Sequence, residues 1–200
     1  TQLVQFTSDM DPDTIYSISI TADPAISGYD ATLNSGDTIP VINGLLNSSS
    51  NPATLVYSVT PEVDNCQGGT VNFTFTVNPE PIILDQSITI CSEEIFIVTP
   101  VDNPPTTLVP INTTYTWTVV DLNGLVTGES NQTTGQNSIS QTLTNTSNLT
   151  QTVEYTVTPT SGAGGNCVGA TFLLTVQVDP KPTLSAIASQ TICGGSVFET

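Results

Sequence analysis

Histidine and arginine are absent from this 200-residue chain, and lysine, methionine and tryptophan occur once each. Without histidine the usual base of a nucleophilic triad is missing, and one lysine is a poor replacement. Two carboxylates could still hydrolyse a glycoside, but no such pair recurs in the repeats described below. Catalysis is therefore not expected. Against that single cation stand 18 carboxylates, for a net charge of −17. Such a charge excludes electrostatic attraction to nucleic acid or anionic lipid, and direct insertion of this segment into a membrane is not expected either. No signal peptide, membrane anchor or sorting tail is visible, and helix signals are nearly missing.

What the chain does hold is threonine, its commonest residue at 35 copies, an apolar fraction of 37%, and 14 glycines and 14 prolines set mostly between apolar stretches. Threonine, valine and isoleucine are stiff at χ1 and suit a pleated, half-buried surface, so this composition forms strands. The chain also repeats itself. Tyr57-Ser-Val-Thr-Pro returns as Tyr155-Thr-Val-Thr-Pro, Val77-Asn-Pro-Glu-Pro as Val178-Asp-Pro-Lys-Pro, and Thr89-Ile-Cys as Thr191-Ile-Cys. The offset is 98 at Tyr57 and Tyr155, 101 at Pro81 and Pro182, and 102 at Cys91 and Cys193. A period near one hundred suits one autonomous domain per repeat rather than a solenoid turn. The phase divides the chain into a first repeat over 1–80 that lacks its start, a complete second repeat over 81–181, and the opening strand of a third over 182–200. Such a chain is expected to be a segment of a longer array.

Strict alternation marks the strands. Val71, Phe73, Phe75 and Val77 alternate with polar residues, as do Phe172, Leu174, Val176 and Val178 one repeat later. Leu55, Tyr57 and Val59, matched by Val153, Tyr155 and Val157, give the preceding strand, and Tyr115, Trp117 and Val119 an earlier one. About seven short strands per hundred residues predict an all-β fold of tandem immunoglobulin-like sandwiches joined by short Pro-x-Pro linkers. Trp117, Tyr155, Tyr57, Phe73, Phe75 and Phe172 fall at core phase.

Four cysteines allow three pairings. If strands alternate in direction, Cys167, before the Phe172 strand, and Cys91, near the opening strand, lie at one pole of the second domain. Cys193, beyond the linker, lies at the other. On that geometry Cys91 and Cys167 form a disulfide, and Cys66 and Cys193 pair outside this sequence. Disulfides imply an oxidising, extracytoplasmic compartment. Zinc is not expected, because there is no C-x-x-C and no histidine. Asp9, Asp11 and Asp13 form D-x-D-x-D, three hard oxygens of the kind Ca²⁺ takes. A solvated acidic loop is the plainer reading, and calcium is the one cofactor the sequence leaves open.

The Val-Asn-Pro-Glu-Pro and Val-Asp-Pro-Lys-Pro linkers, the Thr-Ile-Cys starts, the Tyr-Thr-Val-Thr-Pro strand and Thr116-Trp-Thr resemble the PKD-like (polycystic-kidney-disease-like) repeats of giant cell-surface adhesins in Bacteroidetes. Some of those are gliding-motility adhesins exported by the type IX secretion system. The resemblance implies an extracellular, outer-membrane-associated stalk on a Gram-negative cell, whose partners are neighbouring repeats and other surface or secretion subunits. Asp13-Thr14-Ile15 and Asp37-Thr38-Ile39 resemble the D-(S/T)-apolar motif for O-glycosylation in that phylum, which makes Thr14 and Thr38 candidate acceptors. Asn-x-Ser/Thr triplets at Asn47, Asn72, Asn112, Asn131, Asn145 and Asn148 matter only in a eukaryotic secretory pathway. The expected function is a non-catalytic stalk that projects an adhesive region and transmits force. The alternative is a carbohydrate-binding module of a secreted polysaccharide-degrading enzyme, which would need exposed aromatics.

Overall fold

The computed structural model describes residues 14–30, 44–162, 164–184 and 193–195, and every regular element among them is a strand. In the first repeat these are β1 (Ile15–Ala22), β2 (Ile26–Ser27), β3 (Leu46–Asn47), β4 (Ala53–Val63), β5 (Cys66–Gln67) and β6 (Val71–Val77). In the second they are β7 (Gln86–Cys91), β8 (Ile95–Val98), β9 (Thr114–Asp121), β10 (Val126–Thr127), β11 (Gln132–Gln136), β12 (Ile139–Thr142), β13 (Thr144–Asn145), β14 (Gln151–Thr160) and β15 (Phe172–Asp179). Together they form tandem immunoglobulin-like sandwiches.

The second repeat has two layers. One is a five-stranded sheet in the order β11-β9-β14-β15-β7, and facing it are the ladders β12-β8 and β10-β13. Alternation determines what each strand buries. Val153, Tyr155 and Val157 of β14 and Leu174, Val176 and Val178 of β15 are fully enclosed. They pack with Phe96, Val98, Tyr115, Trp117, Ile139 and Leu143 in one core. Burial of each such side chain stabilises by about 1.5–3 kcal/mol. Phe96 meets Tyr155 edge to face at 5.5 Å. Burial pushes the Tyr115 hydroxyl up to about 12 and raises that of Tyr155 further, with the Glu129 carboxylate adding to the second effect.

Three side chains of this core, Tyr155, Gln141 and Trp117, are satisfied as a chain. Tyr155 Oη donates to Gln141 Oε1 at 2.8 Å, Gln141 Nε2 donates to the Ser130 carbonyl at 2.7 Å, and Trp117 Nε1 donates to the same carbonyl at 3.0 Å. Leaving any of these groups unpaired would cost about 1–3 kcal/mol.

Among the described residues of the first repeat, one sheet stands out, with β4 central between β1 and β6 and extended by β5. Ala53, Leu55, Tyr57 and Val59 of β4 are buried, Ile26 of β2 packs with the first three, and Phe73 and Phe75 are half-buried against them. Tyr57 meets Phe75 edge to face at 5.9 Å. The β4–β5 hairpin turns on Asp64 and Asn65, both at positive φ (48° and 62°), the backbone of a type I′ turn. Gly28 and Gly128 hold equivalent turns at φ 87° and 97°. A Cβ at either would stand within 2.4 Å of a carbonyl oxygen, that of Gly44 or of Thr142, so only glycine fits.

The opening strand corrects the expected disulfide. β7 pairs with β15 in parallel, from Leu174 opposite Gln86 to Asp179 opposite Cys91. Cys91 therefore ends its strand at the downstream pole, while Cys167 precedes β15 at the upstream pole. About 25 Å of strand, at about 3.3 Å per residue, separates the two levels, against the 7 Å or so that a cystine tolerates. Both are free thiols, Cys91 exposed and Cys167 half-buried.

The repeat junction as candidate functional site

The surface where one repeat meets the next is the candidate functional site. It is built from loops at facing poles. The downstream pole of the first repeat is fixed by Asn47, which is buried. Its Nδ2 donates to the carbonyls of Asn51 (2.7 Å) and Val77 (2.9 Å), and its Oδ1 accepts from Ser49 N (2.9 Å) and Ser49 Oγ (2.8 Å). Asn145 repeats the pattern one period on, with Leu149, Val178 and Ser147 as partners at 2.7, 2.8 and 2.8 Å. Each asparagine ties a short Ser-containing loop to the end of the last strand, so the linker leaves from a fixed point. The Asn-x-Ser triplets at these positions are thus structural. Their recurrence 98 residues apart is the signal in the sequence that marks them.

Across the junction, the loop between β8 and β9 reaches back. Ser50 Oγ donates to Asp102 Oδ2 at 2.7 Å, while Asp102 Oδ1 accepts from Val109 N at 2.8 Å, so one carboxylate both holds its own loop and grips the preceding repeat. The linker prolines Pro79 and Pro81 are buried. Gly169 lies so close to Pro81 that a Cβ there would meet the Pro81 carbonyl oxygen at 2.2 Å. Ile82 exchanges backbone hydrogen bonds with Leu108 at 3.0 and 2.8 Å. At Gly165, a Cβ would stand 2.8 Å from Asn78 Nδ2 and 3.3 Å from Cys167 Sγ. Loops of the second repeat therefore hold the first repeat's exit strand on two sides.

The remaining site residues are dispersed. Cys66 is exposed in the β4–β5 hairpin. Thr14 precedes β1 beside that hairpin and, with Pro61 and Gly68, lines an open groove of about 300 Å³. Thr38, Asp9, Asp11 and Asp13 lie outside the described residues, and among those described no cluster of three or more His, Cys, Asp or Glu could hold a metal. Lys181 is exposed and paired with Glu93, whose carboxylate raises the lysine's pKa by hydrogen bond and charge. Trp117, Tyr57, Tyr155 and Phe172 are buried, and Phe73 and Phe75 are half-buried. None of these six is an exposed platform for a sugar. No described helix is long and apolar enough to cross a membrane.

Two-layered strands in repeats of about one hundred residues, locked end to end, define a tandem immunoglobulin-like sandwich protein. The chain belongs to the PKD-like domain family, whose model matches residues 3–81 and 88–182. Domains of this family typically stand outside the cell and serve adhesion or structure. No curated protein sequence matches the chain. Among solved structures it is similar to zebrafish RET cadherin-like domains 1 to 4, at 11% identity and a TM-score of 0.29, over 86% of this chain and 42% of that one. At that score the likeness adds nothing about function.

Proposed function

We propose that the chain is a non-catalytic stalk segment of a repetitive cell-surface adhesin, which holds an adhesive region away from the cell and carries force during attachment. The observation that carries this reading is the locked junction, with buried Pro79 and Pro81, Pro81 seated on Gly169, and Ser50 bonded to Asp102. A linker of independent binding modules has no need of such a seat, whereas a stalk does. Proline fixes φ, so little entropy is lost in keeping the linker extended. A charge of −17 keeps such rods soluble and apart. The resemblance of the linker and strand motifs to Bacteroidetes adhesin repeats supports a place on the outer surface of a Gram-negative cell, export by type IX secretion and a part in gliding. Neighbouring repeats are the first partners, and calcium at Asp9, Asp11 and Asp13 belongs to the same proposal.

Small-angle X-ray scattering on the chain tests the stalk. The expected result is one extended shape that fits a single junction geometry, loosened when Gly169→Val forces Pro81 from its seat. Scattering that needs a broad distribution of inter-repeat angles in the unaltered chain would sink it.

A further inference from the structure

The geometry points to a disulfide between consecutive repeats. We propose that the cysteine ending the opening strand of one repeat, Cys91 in the second, pairs with the cysteine of the loop before the last strand in the repeat that follows, the position held here by Cys66 and Cys167. The inference rests on the stalk reading, since it requires repeats stacked as the first and second are.

The argument transfers one junction onto the next. At the junction present, Cys167 Sγ and the Asn78 amide flank the same point over Gly165, at 3.3 and 2.8 Å. Asn78 follows β6 where Asp179 ends β15. In the second repeat, the residue beside Asp179 on the parallel neighbouring strand is Cys91, about 4.8 Å away across the ladder. A repeat stacked on the downstream pole as the second stacks on the first therefore brings its Cys167-type thiol against the Asp179–Cys91 edge. Cys91 is thus one strand spacing from the residue that such a thiol meets, and a cystine tolerates Cα atoms up to about 7 Å apart.

Two further features agree. The downstream pole of the second repeat carries an open groove of about 610 Å³ lined by Asn145, Ser147, Asn148, Pro180 and Pro182. Their first-repeat counterparts Asn47, Ser49, Ser50, Pro79 and Pro81 include the Ser50 that binds Asp102 and the Pro81 that seats on Gly169. The occupant that fits is thus another copy of this repeat. Within the chain, moreover, Cys66, Cys91 and Cys167 stand at three different poles and cannot meet one another.

Formation needs a disulfide oxidant of the glutathione or protein-disulfide class. One cysteine thiolate attacks the oxidant's disulfide, and the partner thiolate then displaces the mixed disulfide. The two thiol protons and two electrons leave in the two thiols of the reduced oxidant.

To test this, the full chain with Cys167→Ser is continued past Thr200 by a copy of residues 99–182, which completes a third repeat, and is held in a glutathione redox buffer. Non-reducing peptide mapping should show the Cys91 peptide joined to the copied loop, with Cys193 still a thiol. A folded third repeat with Cys91 free, or bound to Cys193, overturns the proposal. If the third repeat does not fold, the 200-residue chain with Asn78→Cys decides: a cross-link to Cys167 supports the shared edge, and two persistent thiols overturn it. Scattering from the extended chain separates the two readings. A rigid rod without the bridge removes only the disulfide, whereas freely swinging repeats without it remove the stalk as well.

Discussion

Leu174 in the second repeat is fully buried, while Phe73, at the same place in the first, is half-buried. Val71 is 55% exposed where its counterpart Phe172 is 3% exposed. Both strands alternate, and both sit beside a central strand of nearly identical sequence, Tyr-Ser-Val-Thr-Pro or Tyr-Thr-Val-Thr-Pro. Among the described residues the two sheets also differ in what faces them. β8 and β12 lay Phe96, Val98 and Ile139 over the second sheet, whereas the described residues of the first repeat place only Ile26, Tyr29 and Leu45 over theirs. Alternation fixes which side of a strand is offered for burial, and the opposing layer decides how much is buried.

The same contrast reaches the buried tyrosines. Tyr155 Oη has Gln141 as acceptor, while Tyr57 Oη has no partner among the described residues. The residue 98 positions before Gln141 is Asn43, one methylene shorter, and it lies outside the described residues. Burial raises the Tyr57 hydroxyl as well, with Asp30 and Tyr29 contributing.

The comparison can be broken most forcefully in the core. Leu174→Ala should cost about 2–5 kcal/mol, and Phe73→Ala clearly less because its side chain is only partly enclosed. Urea unfolding followed by Trp117 fluorescence for the second repeat, and by tyrosine signals in Trp117→Phe for the first, measures both, and equal losses would refute the layer argument. Next come the asparagines, where the repeats should agree. Asn47→Ala and Asn145→Ala are each expected to lose about 2–3 kcal/mol, since loop and strand carbonyls lose their donor, and hydrogen exchange at Ser49 and Ser147 should accelerate. A loss confined to one repeat would mean that the shared pattern is not what fixes the poles.

Gln141→Leu removes the acceptor that sets the second repeat's tyrosine apart from the first's. It should cost about 1–3 kcal/mol, because it orphans Tyr155 Oη in the core, and chemical denaturation read at Trp117 would detect it. The smallest effect is expected at Glu93, a non-glycine residue at φ 71°, whose match 102 positions on is Gly195 at φ 93°. Relief of the left-handed backbone opposes the greater freedom of glycine in the unfolded chain, and the exposed pair with Lys181 adds little. Glu93→Gly should shift the midpoint by less than about 0.5 kcal/mol, and a large loss would show that the ion pair anchors the turn.

Much of this architecture could be read from residue order. The alternation at Phe172 to Val178, at Val153 to Val157 and at Tyr115 to Val119 marks the central strands, whereas β4 and β14 run on past the prolines of their Thr-Pro steps to Val63 and Thr160. The direction in which β7 pairs could not be read, because a two-residue period looks the same in parallel and antiparallel ladders, and the error at Cys91 followed from that. Asn47 and Asn145 were hidden for another reason. Their partners are main-chain carbonyls up to 33 residues away, and a carbonyl has no letter in the sequence.

The parallel β7–β15 ladder also determines how the second repeat meets a mechanical load. Tension pulls β7 upstream from its beginning and β15 downstream from its end, so the two strands are drawn past each other along their length. The ladder from Gln86–Leu174 to Cys91–Asp179 is then strained in shear, with its hydrogen bonds sharing the load at once instead of peeling apart one after another. A bead wired this way yields abruptly at high tension rather than gradually at low tension.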